Sequence, residues 1–133
     1  MSNGRNLTFV TAKKEMLAEQ LKQADIVFLR GGKTEPLLSA LRSVPDLGKK
    51  LAGKTVVGES AGAYALSELF FSKSMGGVFQ GLGFVPVKTI CHFDGRHVEQ
   101  LKDSKLPPAF LPENAFRIFH QTPGVEPPDH QDI

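Results

Sequence analysis

The chain reads GESAG at residues 58–62, so Ser60 has a glycine two positions before it and another two positions after it. This spacing is typical of a nucleophile elbow, in which a strand turns sharply into a helix and leaves no room for a Cβ at the flanking positions. The pattern makes Ser60 a candidate nucleophile. The alternative interpretation is an ordinary strand-to-helix turn in which the Ser60 hydroxyl caps the helix.

A serine nucleophile needs a base to take its proton and a carboxylate to orient that base. His92 follows an apolar run, and Glu113 lies in a Pro-Glu-Asn turn between two further apolar runs. These two residues could fill the roles of base and acid. Each also has a simpler interpretation, since a histidine at a strand end is often a structural surface residue and a glutamate in a turn is often only solvated.

Acyl transfer also needs backbone donors for the oxyanion that forms on the attacked carbonyl. The N–H of Ala61, directly after the serine, is one candidate. The N–H of Gly32, in the Gly-Gly turn after an earlier apolar run, is the other. The stretch GGKT at 31–34 imitates the end of a phosphate-binding loop, but Val27 stands where that motif requires its first glycine.

The first half of the chain alternates short apolar runs with segments of helical periodicity. This alternation with short connections predicts a parallel sheet covered by helices, with chemistry at the carboxyl ends of its strands. Expected strands are LTFV (7–10), DIVFLRGG (25–32, buried on both faces) and KTVVGES (54–60). Expected helices are 13–24, a segment with Thr34 as its N-cap, a short piece at 46–51, and AGAYALSELFF (61–71).

The second half has a different character. Residues 72–83 are rich in glycine and are expected to form a surface loop, whereas 83–93 are expected to form a strand. Residues 97–104 are expected to be a short helix or loop, and 109–120 two β-runs around a turn. We expect one α/β domain over 1–120 and a disordered, proline-rich tail over 121–133.

Composition narrows the function classes. The chain has 133 residues, a formal net charge of +2 and scattered cations, so nucleic-acid binding is not indicated. Its four histidines show no metal-ligand spacing, and no cofactor is expected. No apolar run approaches the roughly 20 residues needed to span a bilayer, and the single cysteine, Cys91, fits a reducing compartment. We expect a cytoplasmic protein without a membrane partner.

Four stretches taken together resemble the dipeptidase E and cyanophycinase serine peptidases, which share the class I glutamine amidotransferase-like fold. The stretches are ADIVFLRGGKTEPLLSAL (24–41), TVVGESAGAYAL (55–66), GLGFVPVKTICHFDG (81–95) and FLPENAFRIFH (110–120). The order serine, histidine, glutamate is that of this family, whereas α/β-hydrolases place the acid before the histidine.

The resemblance implies a three-layer α/β sandwich with a mostly parallel sheet, truncated at both ends relative to the family. It implies a catalytic triad of Ser60, His92 and Glu113, with Gly32 and Ala61 binding the oxyanion. The implied substrate is a short peptide with an N-terminal aspartate, cleaved through an acyl-enzyme.

An acidic substrate residue needs a cation near the nucleophile, and a guanidinium suits a carboxylate best. Arg96, four residues past His92, is the first candidate for this contact, with Lys33 and Arg30 after it. A solvated surface arginine is the simpler interpretation of Arg96.

Other functions stay open at this stage. The chain could be a catalytically inactive, truncated relative with a binding role or with no function, or another acyl-transfer enzyme such as an esterase or amidase. A parallel sheet needs cover on both faces, so a homodimer is also expected if flanking elements are missing.

Overall fold

The computed structural model describes residues 7–120 as a mixed α/β arrangement. The helices are α1 (Leu17–Gln23), α2 (Thr34–Arg42), α3 (Leu47–Leu51) and α4 (Ala61–Leu66). The strands are β1 (Ile26–Leu29), β2 (Thr55–Gly58), β3 (Ser67–Ser72), β4 (Gly77–Gln80), β5 (Val85–Cys91) and β6 (Pro108–Leu111). Single 3₁₀ turns lie at Lys14–Met16 and Val98–Leu101.

The strands form two sheets. Strands β1 and β2 pair in parallel, from Ile26 opposite Thr55 to Leu29 opposite Gly58. The second sheet has the order β4-β3-β5-β6, in which only the β3–β4 pair is antiparallel. The predicted α/β class with mostly parallel strands is confirmed.

Helix α4 is much shorter than the sequence pattern predicted. The predicted helix over 61–71 is wrong, because the chain becomes extended at Ser67 and continues as β3. The Ser67 hydroxyl donates to the Tyr64 carbonyl at 2.8 Å, and the Ser67 N–H also donates to that carbonyl, so both donors of Ser67 bind the last turn of the helix. Aromatic residues favour strands, and Phe70 is completely buried there against the ring of Tyr64.

The predicted surface loop over 72–83 is also wrong in part, because β3 and β4 form a hairpin there. Gly76 supplies the positive φ of 75° that the turn requires. The Ser72 hydroxyl accepts the N–H of Met75 at 3.2 Å and closes the same turn. The glycines that indicated a loop therefore belong to a tight connection between strands.

Three smaller expectations differ from the structure. Residues 7–10 form no strand and are exposed, and residues 115–120 form no second β-run after β6. Thr34 is not the N-cap of α2 but its first helical residue, and it is buried, with Lys33 in the cap position. The tail at 121–133 that was expected to be disordered lies outside the described residues.

The main core cluster joins both sheets. Its buried side chains come from β1, all four helices and the second sheet, and include Val27, Leu29, Leu21, Leu41, Leu47, Tyr64 and Phe70. Full burial of a large apolar side chain contributes about 1.5–3 kcal/mol. A second cluster of Phe71, Ile90 and Leu101 fills the other face of the second sheet. Among residues 7–120, no helix has the length and apolar character needed to cross a membrane.

One face of the first sheet is not covered by any part of residues 7–120. The sequence predicted that the strand at 25–32 is buried on both faces, and this is wrong, since its burial alternates along β1. Ile26 is 57% exposed and Phe28 59% exposed, and Val57 of β2 beside Phe28 is 40% exposed. Thr55 of β2, opposite Ile26, is the fourth side chain of this outer face within the paired residues, and none of the four is charged.

We propose that a second copy of the chain covers this outer face. An uncharged apolar surface is complementary to itself, and two-fold pairing places each copy's face against the other's. The isolated protein is expected to exceed 14.5 kDa by light scattering at micromolar concentration, and Phe28→Glu is expected to lower the mass to that of one chain.

The control is Val78→Glu, which places the same charge on β4 of the other sheet, at a partly exposed apolar position (39%). This control should leave the mass unchanged. A monodisperse parent protein of 14.5 kDa with a cooperative melt would refute the pairing.

Candidate active site

Ser60 stands at a strained turn between β2 and α4, with φ 51° and ψ −103°. An L-residue rarely adopts a positive φ, and such strain is characteristic of functional turns. The Ser60 side chain makes no hydrogen bond that would cap α4. The interpretation of Ser60 as a helix-capping residue is therefore wrong for this structure.

The two glycines of the motif are required by close backbone contacts. A Cβ added at Gly58 would lie 2.6 Å from the carbonyl carbon of Gly62. A Cβ added at Gly62 would lie 2.7 Å from the Cβ of Leu29, the last residue of β1. The elbow is therefore pressed against the end of the neighbouring strand, as the spacing of the motif predicted.

His92 follows directly after the last residue of β5 and leaves the strand with a positive φ of 52°. This turn brings its Nε2 to 3.2 Å from the Ser60 Oγ. The Nδ1 atom of the same ring is hydrogen-bonded to Glu113 Oε2. When Nδ1 carries the ring proton, its N–H donates a hydrogen bond to Glu113, and the unprotonated Nε2 can accept a hydrogen bond from the serine hydroxyl.

The pairing of β5 with β6 places Glu113 beside His92, although the two are 21 positions apart in sequence. Cys91 lies opposite Leu111 in the parallel ladder, and the Phe93 N–H donates to the Leu111 carbonyl at 3.0 Å. The turn after β6 then presents Glu113 to the imidazole. The side chains of His92 and Glu113 are 58% and 69% exposed, so this end of the site is open to water.

The glycine turn after β1 lies beside Ser60. A Cβ on Gly31 would lie 3.5 Å from the Ser60 Cβ, and Gly32 has a φ of 141° that favours glycine. The Gly31 N–H donates to Glu59 Oε1 at 3.2 Å, so this donor is already engaged. The N–H of Ala61 is the first of α4, a position without an acceptor inside a helix.

Two residues that hold the candidate site together, Glu59 and Tyr64, were not identified from the sequence. Glu59 holds the glycine turn through Gly31, and its position next to the serine was the available signal. Tyr64, the only tyrosine of the chain, lies under the site, and its hydroxyl accepts the N–H of Cys91 at 3.0 Å. No sequence pattern indicated that contact, because it joins residues 27 positions apart.

Burial is the main cause of the raised pKa values of the two titratable groups beneath the site, Tyr64 and Cys91. It raises the pKa of Tyr64 to about 12 and the pKa of the Cys91 thiol to about 11. The charge of Glu113 adds a smaller upward contribution to the Cys91 pKa. Both groups are therefore neutral near pH 7, and Cys91 is not a nucleophile that competes with Ser60.

The candidate cations differ in their contacts. Arg96 donates from Nε and a terminal nitrogen to the Asp94 carboxylate, at 2.9 and 2.6 Å, and this hydrogen bonding lowers the pKa of Asp94 to about 2. The first substrate-binding candidate from the sequence is thus already paired with a carboxylate. Lys33, next to Gly32, is exposed and makes no ion pair with any residue between 7 and 120.

Among residues 7–120, neither a metal-ligand cluster nor the cavity beside α2 involves the predicted site residues. Within the described part of the chain, no group of three or more metal-ligating side chains is present. A cavity of about 370 Å³ lies between α2 and the β3–β4 hairpin, and none of the predicted site residues lines it. Its lining residues are Leu38, Arg42, Leu69, Met75, Val78, Phe79 and Gln80.

Comparison with known proteins gives one match. The model of peptidase family S51 matches residues 3–107, which is well over half of the chain and includes Ser60 and His92 but not Glu113. No curated protein and no solved structure gives a significant match. The mixed α/β architecture with mostly parallel strands is consistent with the glutamine amidotransferase-like fold of that family.

The contact of Gly62 with β1 generates a prediction about stability. In an unhindered helix, Gly→Ala stabilises by up to about 1 kcal/mol. Here the added methyl group would meet Leu29, so Gly62→Ala is expected to lower the free energy of unfolding by about 1–3 kcal/mol, measured by urea titration.

Gly77→Ala is the matched control, because its added Cβ would have only ordinary contacts with the Phe79 ring, the nearest at 3.6 Å. This variant should unfold within about 1 kcal/mol of the parent. A Gly62→Ala protein as stable as the parent would show that the elbow does not need the close approach to β1.

Proposed function

The chain belongs to peptidase family S51, and from that premise we propose that it is a serine peptidase that cleaves short acidic peptides with an N-terminal aspartate. The observation that carries this proposal is the continuous hydrogen-bonded series from Ser60 Oγ through His92 to Glu113. Family membership supports a serine peptidase in general. The triad and the substrate class are parts of the proposal.

In the proposed mechanism, His92 Nε2 takes the Ser60 proton as Oγ attacks the peptide carbonyl carbon. Glu113 keeps the ring proton on Nδ1 and stabilises the imidazolium that forms. The imidazolium then donates its proton to the leaving amine, which breaks the C–N bond and leaves an acyl-enzyme. Water enters from the open side of the site and attacks the ester carbonyl while it loses a proton to His92. The imidazolium then returns this proton to Ser60 Oγ as the ester C–O bond breaks, which releases the acid and restores the free serine.

The proposed oxyanion hole consists of the N–H groups of Gly32 and Ala61. Both belong to turns that border Ser60, and donors fixed before reaction cost little reorganisation when charge develops. The Gly31 N–H is bound to Glu59, so it is not assigned to the oxyanion. We propose that Glu59 instead keeps the turn that carries Gly32 close to the elbow.

The substrate preference is proposed from the charges at the rim of the site. Lys33 directly follows Gly32 and is not paired with a carboxylate in the described structure, which supports it as the cation for an N-terminal aspartate. Arg96 is the second candidate, because its guanidinium is already paired with the Asp94 carboxylate. Arg30 is exposed at the end of the same strand as the glycine turn.

Reactivity of Ser60 tests the proposed nucleophile. A fluorophosphonate probe is expected to label the parent at Ser60, and Ser60→Ala is expected to abolish labelling and lower peptide hydrolysis by about 10⁴-fold or more. Glu113→Gln should retain the fold but slow both reactions by up to about 10⁴-fold, because the imidazole loses the partner that fixes its tautomer.

The matched control is Ser43→Ala, which removes an exposed serine whose hydroxyl donates only to the Ala40 carbonyl. It should be labelled at the parent's rate. Equal labelling of Ser60→Ala and the parent would remove Ser60 from the mechanism. A folded parent that takes up no probe would favour the catalytically inactive alternative.

Selectivity between dipeptides tests the proposed substrate class. Lys33→Gln is expected to lower the ratio of kcat/KM for an aspartyl dipeptide to that for the matching alanyl dipeptide by about tenfold or more, because a charge-assisted contact is lost. Arg96→Gln should change that ratio much less.

Asp94→Asn distinguishes the two cations, since it releases Arg96 from its carboxylate. A ratio that rises in Asp94→Asn and collapses in Arg96→Gln would assign the contact to Arg96 rather than Lys33. A parent with no preference for the aspartyl dipeptide would refute the substrate class and leave the nucleophile untouched.

A further inference from the structure

Tyr64 links the two parts of the candidate site by hydrogen bonds at both ends of the residue. Its backbone N–H donates to the Ser60 carbonyl at 3.0 Å, in the first turn of α4. Its hydroxyl accepts the N–H of Cys91, the residue before His92, at 3.0 Å. One residue therefore contacts the chain at the nucleophile and the chain at the base.

The ring of Tyr64 is held firmly between these contacts. It is 7% exposed and stacks on the buried Phe70 ring, with centroids 4.6 Å apart and planes 12° from parallel. Its carbonyl accepts the Ser67 hydroxyl at 2.8 Å. A side chain packed on a fixed neighbour holds its polar atom in one place at little further entropic cost.

Cys91 is the point at which the base leaves the sheet. It is the last residue of β5, and the chain turns at His92 with a φ of 52°. The direction of the N–H at this point influences where the imidazole is carried. The Cys91 thiol lies 3.7 Å from the Ser60 carbonyl, a weaker contact between the same two segments.

We propose that Tyr64 is a positioning residue, whose hydroxyl holds the end of β5 at a fixed distance from the nucleophile elbow and so sets the contact between His92 Nε2 and Ser60 Oγ. The inference rests on the proposed function of Ser60 and His92. Tyr64 does not touch the reacting atoms; it acts through the Cys91 amide. Burial raises the pKa of its phenol to about 12, so the hydroxyl that accepts this bond is neutral near pH 7.

The test is Tyr64→Phe, which keeps the ring and removes the acceptor. Misplacement of a catalytic group by about 1 Å can cost about 10²-fold in rate, so fluorophosphonate labelling and kcat are expected to fall roughly 10- to 100-fold. KM should stay within about twofold of the parent, because no substrate contact is removed. The Cys91 amide should exchange with solvent faster, and the NMR shifts of the His92 ring nitrogens should change.

The matched control is Ser72→Ala. Ser72 is 2% exposed, and its hydroxyl also accepts one backbone N–H, that of Met75, at the other end of β3. A purely structural effect of losing a buried hydroxyl would appear in both variants. We expect Ser72→Ala to keep the parent's labelling rate and the parent's His92 shifts.

Three outcomes decide the inference. A folded Tyr64→Phe protein with the parent's labelling rate and His92 shifts would overturn it. A parent that is inert to the probe would refute the proposed function, while the His92 shifts in Tyr64→Phe would still decide whether the hydroxyl positions the base. If Tyr64→Phe does not fold, the chain's single tyrosine can be replaced biosynthetically by 3-fluorotyrosine, which weakens the hydroxyl as an acceptor without removing it. Unchanged labelling and unchanged His92 shifts in that protein would then overturn the inference.

Discussion

The approach of α4 to the end of β1 is the contact on which the rest of the candidate site depends. The Leu29 carbonyl accepts the Glu59 N–H at 2.9 Å, and Gly62 packs against the same residue with no space for a Cβ. These contacts leave Ser60 at the top of the turn, in a conformation that an isolated chain would rarely adopt. They also bring the glycine turn after β1 to the side of the serine, where a Cβ on Gly31 would lie 3.5 Å from the Ser60 Cβ.

Helix α4 connects the two sheets, whose strands pair only with other strands of the same sheet. On one side it packs against β1 and β2, and on the other the Leu82 N–H donates to the Ala65 carbonyl at 2.7 Å. Ser60 and the glycine turn therefore follow strands of the first sheet, whereas His92 and Glu113 follow strands of the second. A short helix is sufficient for this purpose, because it needs only to carry the chain from the elbow to the buried start of β3.

The candidate site is buried beneath Ser60 and open to solvent at His92 and Glu113. Tyr64 and Cys91 are buried and neutral beneath Ser60, and their hydrogen bonds are protected from competition with water. His92 and Glu113 are more than half exposed, so their mutual attraction is screened by solvent before a substrate covers them. The parallel ladder of β5 and β6 also holds His92 and Glu113 near each other.

The sequence by itself determined the local features whose cause is local. The glycines around Ser60 are dictated by the steric demands of the turn, and the apolar runs of β1, β2 and β5 predicted strands because their residue types favour extended, buried chain. The four ordered motifs likewise indicated the family whose model matches residues 3–107. The end of α4 was missed because the residues from 61 to 71 are mostly apolar, with only Ser67 and Glu68 between the two apolar parts, and periodicity cannot separate a buried helix from a buried strand in such a run. Tertiary structure alone decided the remainder: which face of β1 stays open, that Arg96 is paired with Asp94, and that Tyr64 reaches Cys91. Those features depend on the distances between segments that are remote in sequence, and such distances are set only when the two sheets pack around α4.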